Sequence, residues 1–413
     1  MTADGHAPFA ATSSASKIAL LPTRELVYPV AGTSLVAVGG RFYLGHTSEV
    51  NALCVGRALC ASATRSSPPE LHVWSPATLG TLASLSHPEA RGAVGALALS
   101  PADGELLLAL EAQSAARLVL WRWRAGECIA HVRAHDDPGR VALFLSPADG
   151  TCRIASASDT SLKFWAVASG GAGEFTFLQP AEAEASTAAT TCAVDLGGGG
   201  NYGEQSALQN LCGDAGGCVT GAADGALAAY AVLGGKLLRR QPAHHGPVRA
   251  LCACGGDGRA RFVSGGADGR VRLWDGALGP LTSVNLGTAA LQHLDRAGRL
   301  QMAGGGMRPP AVRSLCWAGG VAVADGGGDS DSGITSSTLL VATAGEVLQF
   351  DPTTGAWRVL LQAHEADGVG IAARLDLECR LKHAVVDVAL VLVVASTVRM
   401  AVQAGDDNAA LLQ

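Results

Sequence analysis

The stretch His244–Asp275, HHGPVRALCACGGDGRARFVSGGADGRVRLWD, constrains the fold more than any other part of the chain. Val248, Ala250 and Cys252 alternate with Arg249 and Leu251, the period of two that a half-buried strand requires. Gly255-Gly256-Asp257-Gly258 predicts a turn, and Phe262, Val263 and Ser264 begin a second strand. Ala267-Asp268-Gly269 predicts a tight hairpin, because Asp and Gly accept positive φ. A third strand follows, with Val271 and Leu273 on one face and Arg270, Arg272 and Trp274 on the other. Three strands in so short a run cannot bury their faces alone and need stacked neighbours.

The pattern recurs. His135 precedes Trp165 by the same 30 residues that separate His244 from Trp274. Asp159 stands six before Trp165, as Asp268 does before Trp274, while Ala155 falls where Ser264 falls, so this repeat is expected to lack one polar partner. Ser146-Pro147-Ala148-Asp149-Gly150 repeats Ser100-Pro101-Ala102-Asp103-Gly104 word for word. Tyr230 and Phe350 replace Trp in two further repeats, and His364 opens a last one. With 48% hydrophobic residues, the 53 glycines read as turn-rich β structure rather than disorder.

The ending GGADGRVRLWD, with a His 30 residues before its Trp, resembles the WD repeat. That resemblance implies an all-β fold, a WD-repeat β-propeller of seven four-stranded blades. The family's hydrogen-bonded set of His, Ser/Thr, Asp and Trp is matched by His244, Ser264, Asp268 and Trp274. Buried Trp and His nitrogens need partners, so the set reads as structural rather than catalytic. Around residue 25 a second resemblance appears. ELVYPVA, the apolar strand after it and FYLGHTSEVNALCV resemble the C-terminal half of the HELP motif, over residues 25–55. This motif opens the propeller region of echinoderm microtubule-associated protein-like (EMAP-like) proteins. ELHVWSPATLGTLASLSHPEARGAVGALALSPADG, from Glu70, fits the same family.

Residues 1–24, rich in Ala, Ser and Thr and without an apolar signal core, are expected to form a disordered leader, and residues 25–413 one propeller. Counting repeats from Gly45-His46 makes the last one end at Gln413 on its third strand. Strands at Val27–Val30 and Leu35–Val38 are then expected to supply the missing outer strand and close the ring.

The EMAP-like resemblance implies a non-catalytic protein that binds tubulin or microtubules, in the cytoplasm and cytoskeleton and extending to the cilium or flagellum. The competing expectation is a generic WD-repeat scaffold in ubiquitin ligation or ciliary transport. A net charge of −6 argues against nucleic acid or an anionic membrane as partner. Eleven cysteines without a regular framework fit a reducing compartment. Cys252 and Cys254, near His244 and His245, read as small core residues rather than metal ligands. Gly197–Gly200 precedes Asn-Tyr-Gly, not Lys-Ser/Thr, and predicts no phosphate loop. Asp325, Asp329 and Asp331 lack the order of a calcium loop. Val385–Val398 is too short to span a bilayer and contains Asp387, so a buried strand is expected. No enzyme activity, cofactor or metal is expected. One basic region stands out: Lys236–Arg272 holds eight basic residues against Asp257 and Asp268. Within it Arg259, Arg261, Arg270 and Arg272 form the candidate tubulin-contact patch, weighed against solvated outer-strand residues.

Overall fold

Period-two strands joined by Gly- and Asp-containing turns give seven antiparallel sheets, built by neighbouring strands in sequence except that Ala181–Glu182 pairs with Leu162–Ser169 past Phe175–Phe177. The computed structural model describes residues 18–30, 33–56, 58–86, 92–101, 104–145, 152–169, 175–184, 188–195, 217–254, 261–286, 311–318, 338–343, 346–351, 357–365 and 371–375. The blades begin with the inner strands Ala19–Leu20, Val50–Val55, Val94–Leu99, Val141–Leu145, Thr190–Asp195, Val248–Ala253 and Ser314–Ala318, numbered here 1 to 7. Blade 6 then runs through Phe262–Gly266 and Arg270–Trp274 to its outer strand Pro280–Asn285. Blade 7 carries a fifth strand, Ile371–Leu375, on the outside of Trp357–Glu365.

Alternation places successive residues of each strand in two different interfaces. Phe262 and Trp274 pack toward blade 5 against Val219, Leu227 and Ala229. Val263, Val271 and Leu273 pack toward blade 7 against Leu315, Leu339 and Val341. Seven apolar clusters result, one between each pair of neighbouring blades. The cluster of Ile18, Leu20, Leu26 and Tyr28 with Cys316, Leu340 and Ala342 closes the ring between blades 1 and 7. The Ile18 N–H donates to Ser314 Oγ across the same seam at 3.4 Å.

Ring closure differs from the expectation. Leu26–Pro29 and Val36–Val38 do not complete a last repeat; they are the middle strands of a separate blade 1, between Ala19–Leu20 and Arg41–Tyr43. Ordered chain therefore reaches back into the stretch expected as leader. The reason is local: Gly39 and Gly40, at φ 54° and 92°, make a tight turn that pairs Val36–Val38 with Arg41–Tyr43. Blade 1 is locked to blade 2 by Tyr43, which stacks on Trp74 at 4.4 Å. Its hydroxyl lies 2.9 Å from His72 Nδ1 and 2.8 Å from Thr81 Oγ1. Gly45 is required there, because a Cβ would strike the Tyr43 hydroxyl. Residues 366–370 and 376–413, with the expected final turn and the apolar run Val385–Val398, lie outside the described residues, as do Gly197–Gly200, Asp325, Asp329 and Asp331. Among the described residues no helix is long and apolar enough to cross a membrane.

Candidate functional site

The most reactive-looking chemistry sits between the sheets. In blade 6 the Trp274 Nε1–H donates to Ser264 Oγ at 2.8 Å, and Ser264 Oγ lies 2.7 Å from His244 Nε2. Asp268 Oδ1 lies 2.9 Å from His244 Nδ1. An ionised Asp only accepts, so Nδ1 carries the proton and Nε2 accepts from the Ser hydroxyl. The Asp268 carboxylate also takes the N–H groups of His245 and Arg270 at 3.0 and 3.1 Å. This order of groups resembles a nucleophile–base–acid set, yet Ser264 is 0% exposed and its hydroxyl is consumed on both sides. No substrate atom can reach it.

Blade 4 repeats the wiring with different residues, which corrects the expectation that it lacks a partner. Ser156, not Ala155, receives the Trp165 Nε1–H at 2.8 Å and lies 2.8 Å from His135 Nε2. Ser161 Oγ, not Asp159, lies 2.7 Å from His135 Nδ1, while Asp159 forms an ion pair with Arg140. The hairpin is one residue shorter: Ile154 pairs with Trp165, whereas Phe262 pairs with Trp274. Counting back from the Trp therefore misses Ser156 by one and Ser161 by two. In blade 2 the loop is longer and Glu70 takes the acidic role. Its carboxylate accepts the Thr47 N–H at 2.9 Å and lies 3.5 Å from His46 Nδ1.

A basic side chain two residues before each Trp affects the same His: His72, Lys163 and Arg272. Burial, and then the His72 charge, push His46 down to about 4. Burial, and then Lys163, push His135 down to about 4. His244 is also lowered by burial, but the Asp268 charge opposes the shift.

His46, Glu70 and His72 bring three potential ligand atoms within 4.8 Å of one another. The two imidazoles are stacked, 4.3 Å between centroids and 8° from parallel. An imidazole binds a metal through a lone pair in its ring plane, with the ion about 2.0–2.1 Å away. One ion cannot lie in two stacked, parallel planes, so this geometry does not form a chelate. Cys252 is buried in the blade 6–7 core and Cys254 is half-buried against it, and desolvation raises both thiol pKa values.

The described arginines of the expected contact patch are only partly exposed. Arg270 and Arg272 lie on the third strand of blade 6, half-buried on the face turned toward blade 5. Arg261 precedes the second strand at the other end of the blade, where its N–H donates to the Trp274 carbonyl at 2.8 Å. Arg259 lies outside the described residues. The structure thus brings Arg270 and Arg272 together and sets Arg261 apart from Arg270.

A second basic set was missed from sequence. In blades 2, 3, 5 and 6 the inner strand bulges at Asn51, Gly95, Thr191 and Arg249. Arg140 and Arg313 occupy the same position in blades 4 and 7. The residue before each, Gly139 or Val312, donates its N–H to the preceding blade, as Val50 does before Asn51. The signal was present as Val248-Arg249-Ala250-Leu251-Cys252 and Val312-Arg313-Ser314-Leu315-Cys316.

Comparison with known proteins bears out the resemblance to WD-repeat and EMAP-like proteins. The WD40 family model (WD domain, G-beta repeat) matches residues 235–275. Echinoderm microtubule-associated protein-like 2 from Mus musculus is 29% identical over 272 residues, covering 62% of this chain and 38% of that protein. The Rattus norvegicus counterpart is 28% identical over the same shares. The matched region thus spans well under half the length of these relatives. Among solved structures, the WD40 repeats of RRP9 align with a TM-score of 0.54 at 16% identity, over 81% of this chain and 85% of that one. The computationally designed Ika8 protein aligns with a TM-score of 0.52 at 21% identity, over 86% and 90%. The chain is a seven-bladed WD40-type β-propeller whose sequence is similar, over 62% of its length, to the EMAP-like proteins.

Proposed function

We propose that the chain is a non-catalytic, protein-binding scaffold of the cytoplasm and cytoskeleton that binds tubulin or microtubules. The observation that carries this reading is the similarity to a protein named for microtubule association, over 62% of the chain. The sealed His–Ser sets support the non-catalytic half, because their hydroxyls are buried and committed to Trp and His. Contact with an acidic polymer has to be local, since the net charge is −6. The arginines of the 259–272 region, Arg259, Arg261, Arg270 and Arg272, are the proposed contact, with Arg270 and Arg272 as its centre.

Co-sedimentation with microtubules tests this. Binding is expected at low salt and a steep loss toward physiological ionic strength, where charges are screened within about 8 Å. Arg270→Glu with Arg272→Glu should lower the pelleted fraction without moving the melt by more than a few degrees. A parent protein that neither pellets at low salt nor binds free tubulin would overturn the tubulin reading and leave the coarser scaffold.

A further inference from the structure

The bulge position marks one end of the inner-strand ring, and its occupants show where that position points. Asn51 Nδ2–H donates to the Val94 carbonyl of the next blade at 2.7 Å. The Thr191 hydroxyl reaches Val248, likewise in the next blade and directly before its bulge. Each small polar side chain at this position therefore lies along the mouth of the central channel and braces its neighbour. Gly95 cannot carry a side chain there, because a Cβ would meet the Gly139 carbonyl at 2.6 Å.

Blades 6 and 7 break the pattern. Arg249 and Arg313 are far longer than Asn or Thr, and both are exposed. Arg249 holds in blade 6 the position that Thr191 holds in blade 5, next to the blade that begins with Val312 and Arg313. Among the described residues neither guanidinium has an ion pair, in contrast to Arg140 with Asp159. The nearby carboxylate of Asp268 is already filled by His244, His245 and Arg270. Two exposed cations thus occupy equivalent positions on neighbouring blades, neither paired with a carboxylate among the described residues.

We infer that Arg249 and Arg313 form a clamp at the channel mouth for a carboxylate-rich, extended polypeptide segment. Packed sheets lie ~10 Å apart and an extended chain advances about 3.3 Å per residue, so the clamp fits acidic side chains roughly two to three residues apart. Each guanidinium can take a carboxylate through two parallel N–H groups. A polynucleotide fits less well: it needs a long basic track, and the molecule as a whole carries −6. This inference does not depend on tubulin being the partner.

The test is fluorescence anisotropy of the full chain with a labelled octaglutamate peptide, an octaglutamine peptide and an oligothymidylate of similar length. Octaglutamate should bind at low salt and the other two much more weakly. Arg249→Ala with Arg313→Ala should weaken octaglutamate binding at least ten-fold, whereas Arg140→Ala should leave it within two-fold. Arg249→Lys with Arg313→Lys should restore part of the loss. Thermal melts establish that each variant is folded. The clamp is overturned if the folded double alanine variant binds octaglutamate like the parent. It is also overturned if octaglutamine or the oligonucleotide binds as well as octaglutamate, or if the parent binds none. Microtubule pelleting without octaglutamate binding would retain the proposed function and remove the clamp; the reverse result would do the opposite.

Discussion

Blades 4 and 6 reach the same buried network by different routes. In blade 6 a Trp, a Ser, a His and an Asp are joined in series, and the Asp holds its own hairpin turn through the Arg270 N–H and the segment before the inner strand through the His245 N–H. In blade 4 a second serine stands where the Asp stands, and the local Asp is turned outward to Arg140. The inner half of the network, Trp to Ser to His, is the same to within 0.1 Å in each step. The outer half is free to change. A buried indole N–H has few ways to be satisfied, whereas the end of the network near solvent is finished by Asp268 in blade 6 and by Ser161 in blade 4, and in blade 2 Glu70 stands 3.5 Å from His46 Nδ1.

The largest effect should come from the shared half. Trp274 is 0% and Trp165 3% exposed, and each packs in a blade interface. Trp274→Ala and Trp165→Ala should each cost about 3–5 kcal/mol, the usual loss for a buried aromatic. Chemical denaturation of the two variants measures this. A Trp165 variant much less damaged than its Trp274 counterpart would break the equivalence of the two blades.

Acid should separate the blades next. His46 and His135 are held at about 4 in the folded chain, against an ordinary value near 6.5. Between those values the unfolded chain takes up protons that the folded one refuses. The stabilisation is therefore full above about pH 6.5 and is lost as pH falls toward 4. The midpoint temperature should drop steeply across that window. Replacing His135 by Gln should flatten the drop more than replacing His244, whose shift is opposed by the Asp268 charge. Equal slopes for the two variants would count against the role given to Asp268.

The outer half should matter less. Asp268→Ala leaves the His244 Nδ1–H and two backbone N–H groups without their acceptor. A loss of roughly 1–3 kcal/mol is expected, as for buried groups left unsatisfied. Ser161→Ala removes one such partner from His135 and should fall at the low end of that range. Denaturation midpoints at neutral pH give both values.

These comparisons also show what the sequence could express. The Asp-Gly turn at Asp268-Gly269 is local and was legible, whereas the alternation expected over Val248–Cys252 is broken by the bulge at Arg249: Val248 packs with Leu251 toward blade 5, and Ala250 and Cys252 pack toward blade 7. The tetrad of blade 6 was legible because its loop has the length at which a six-residue count lands on the right Asp. The tetrad of blade 4 was not, since its hairpin is one residue shorter, which shifts Ser156 by one, and Ser161 stands two positions nearer its Trp than Asp268 does. Blade 1 was hidden for another reason. Its inner strand is two residues long and its role is defined by the seam with blade 7, a contact between Ile18 and residues near 316 and 340. No local pattern encodes a partner that far away. The arginine pair was written in a five-residue repeat, but its position on the ring became visible only once the bulges aligned.

The smallest predicted effect isolates the difference between the two aspartates. Asp159 and Asp268 stand at the same distance in sequence from their Trp residues. Asp159 is 40% exposed and its partner Arg140 52%, whereas Asp268 is 8% exposed at its side chain. An exposed pair gains little, because water screens the charges and two side chains lose freedom. Asp159→Ala should therefore cost about 0–1 kcal/mol, and salt should erase most of that. The same substitution at Asp268 acts on a buried network, which salt cannot reach. Measuring both variants at about 0.05 and about 0.5 M salt gives a direct contrast, with the Asp159 difference shrinking and the Asp268 difference holding. An Asp159 variant as unstable as the Asp268 variant, and equally insensitive to salt, would mean that Asp159 serves the His135 network after all.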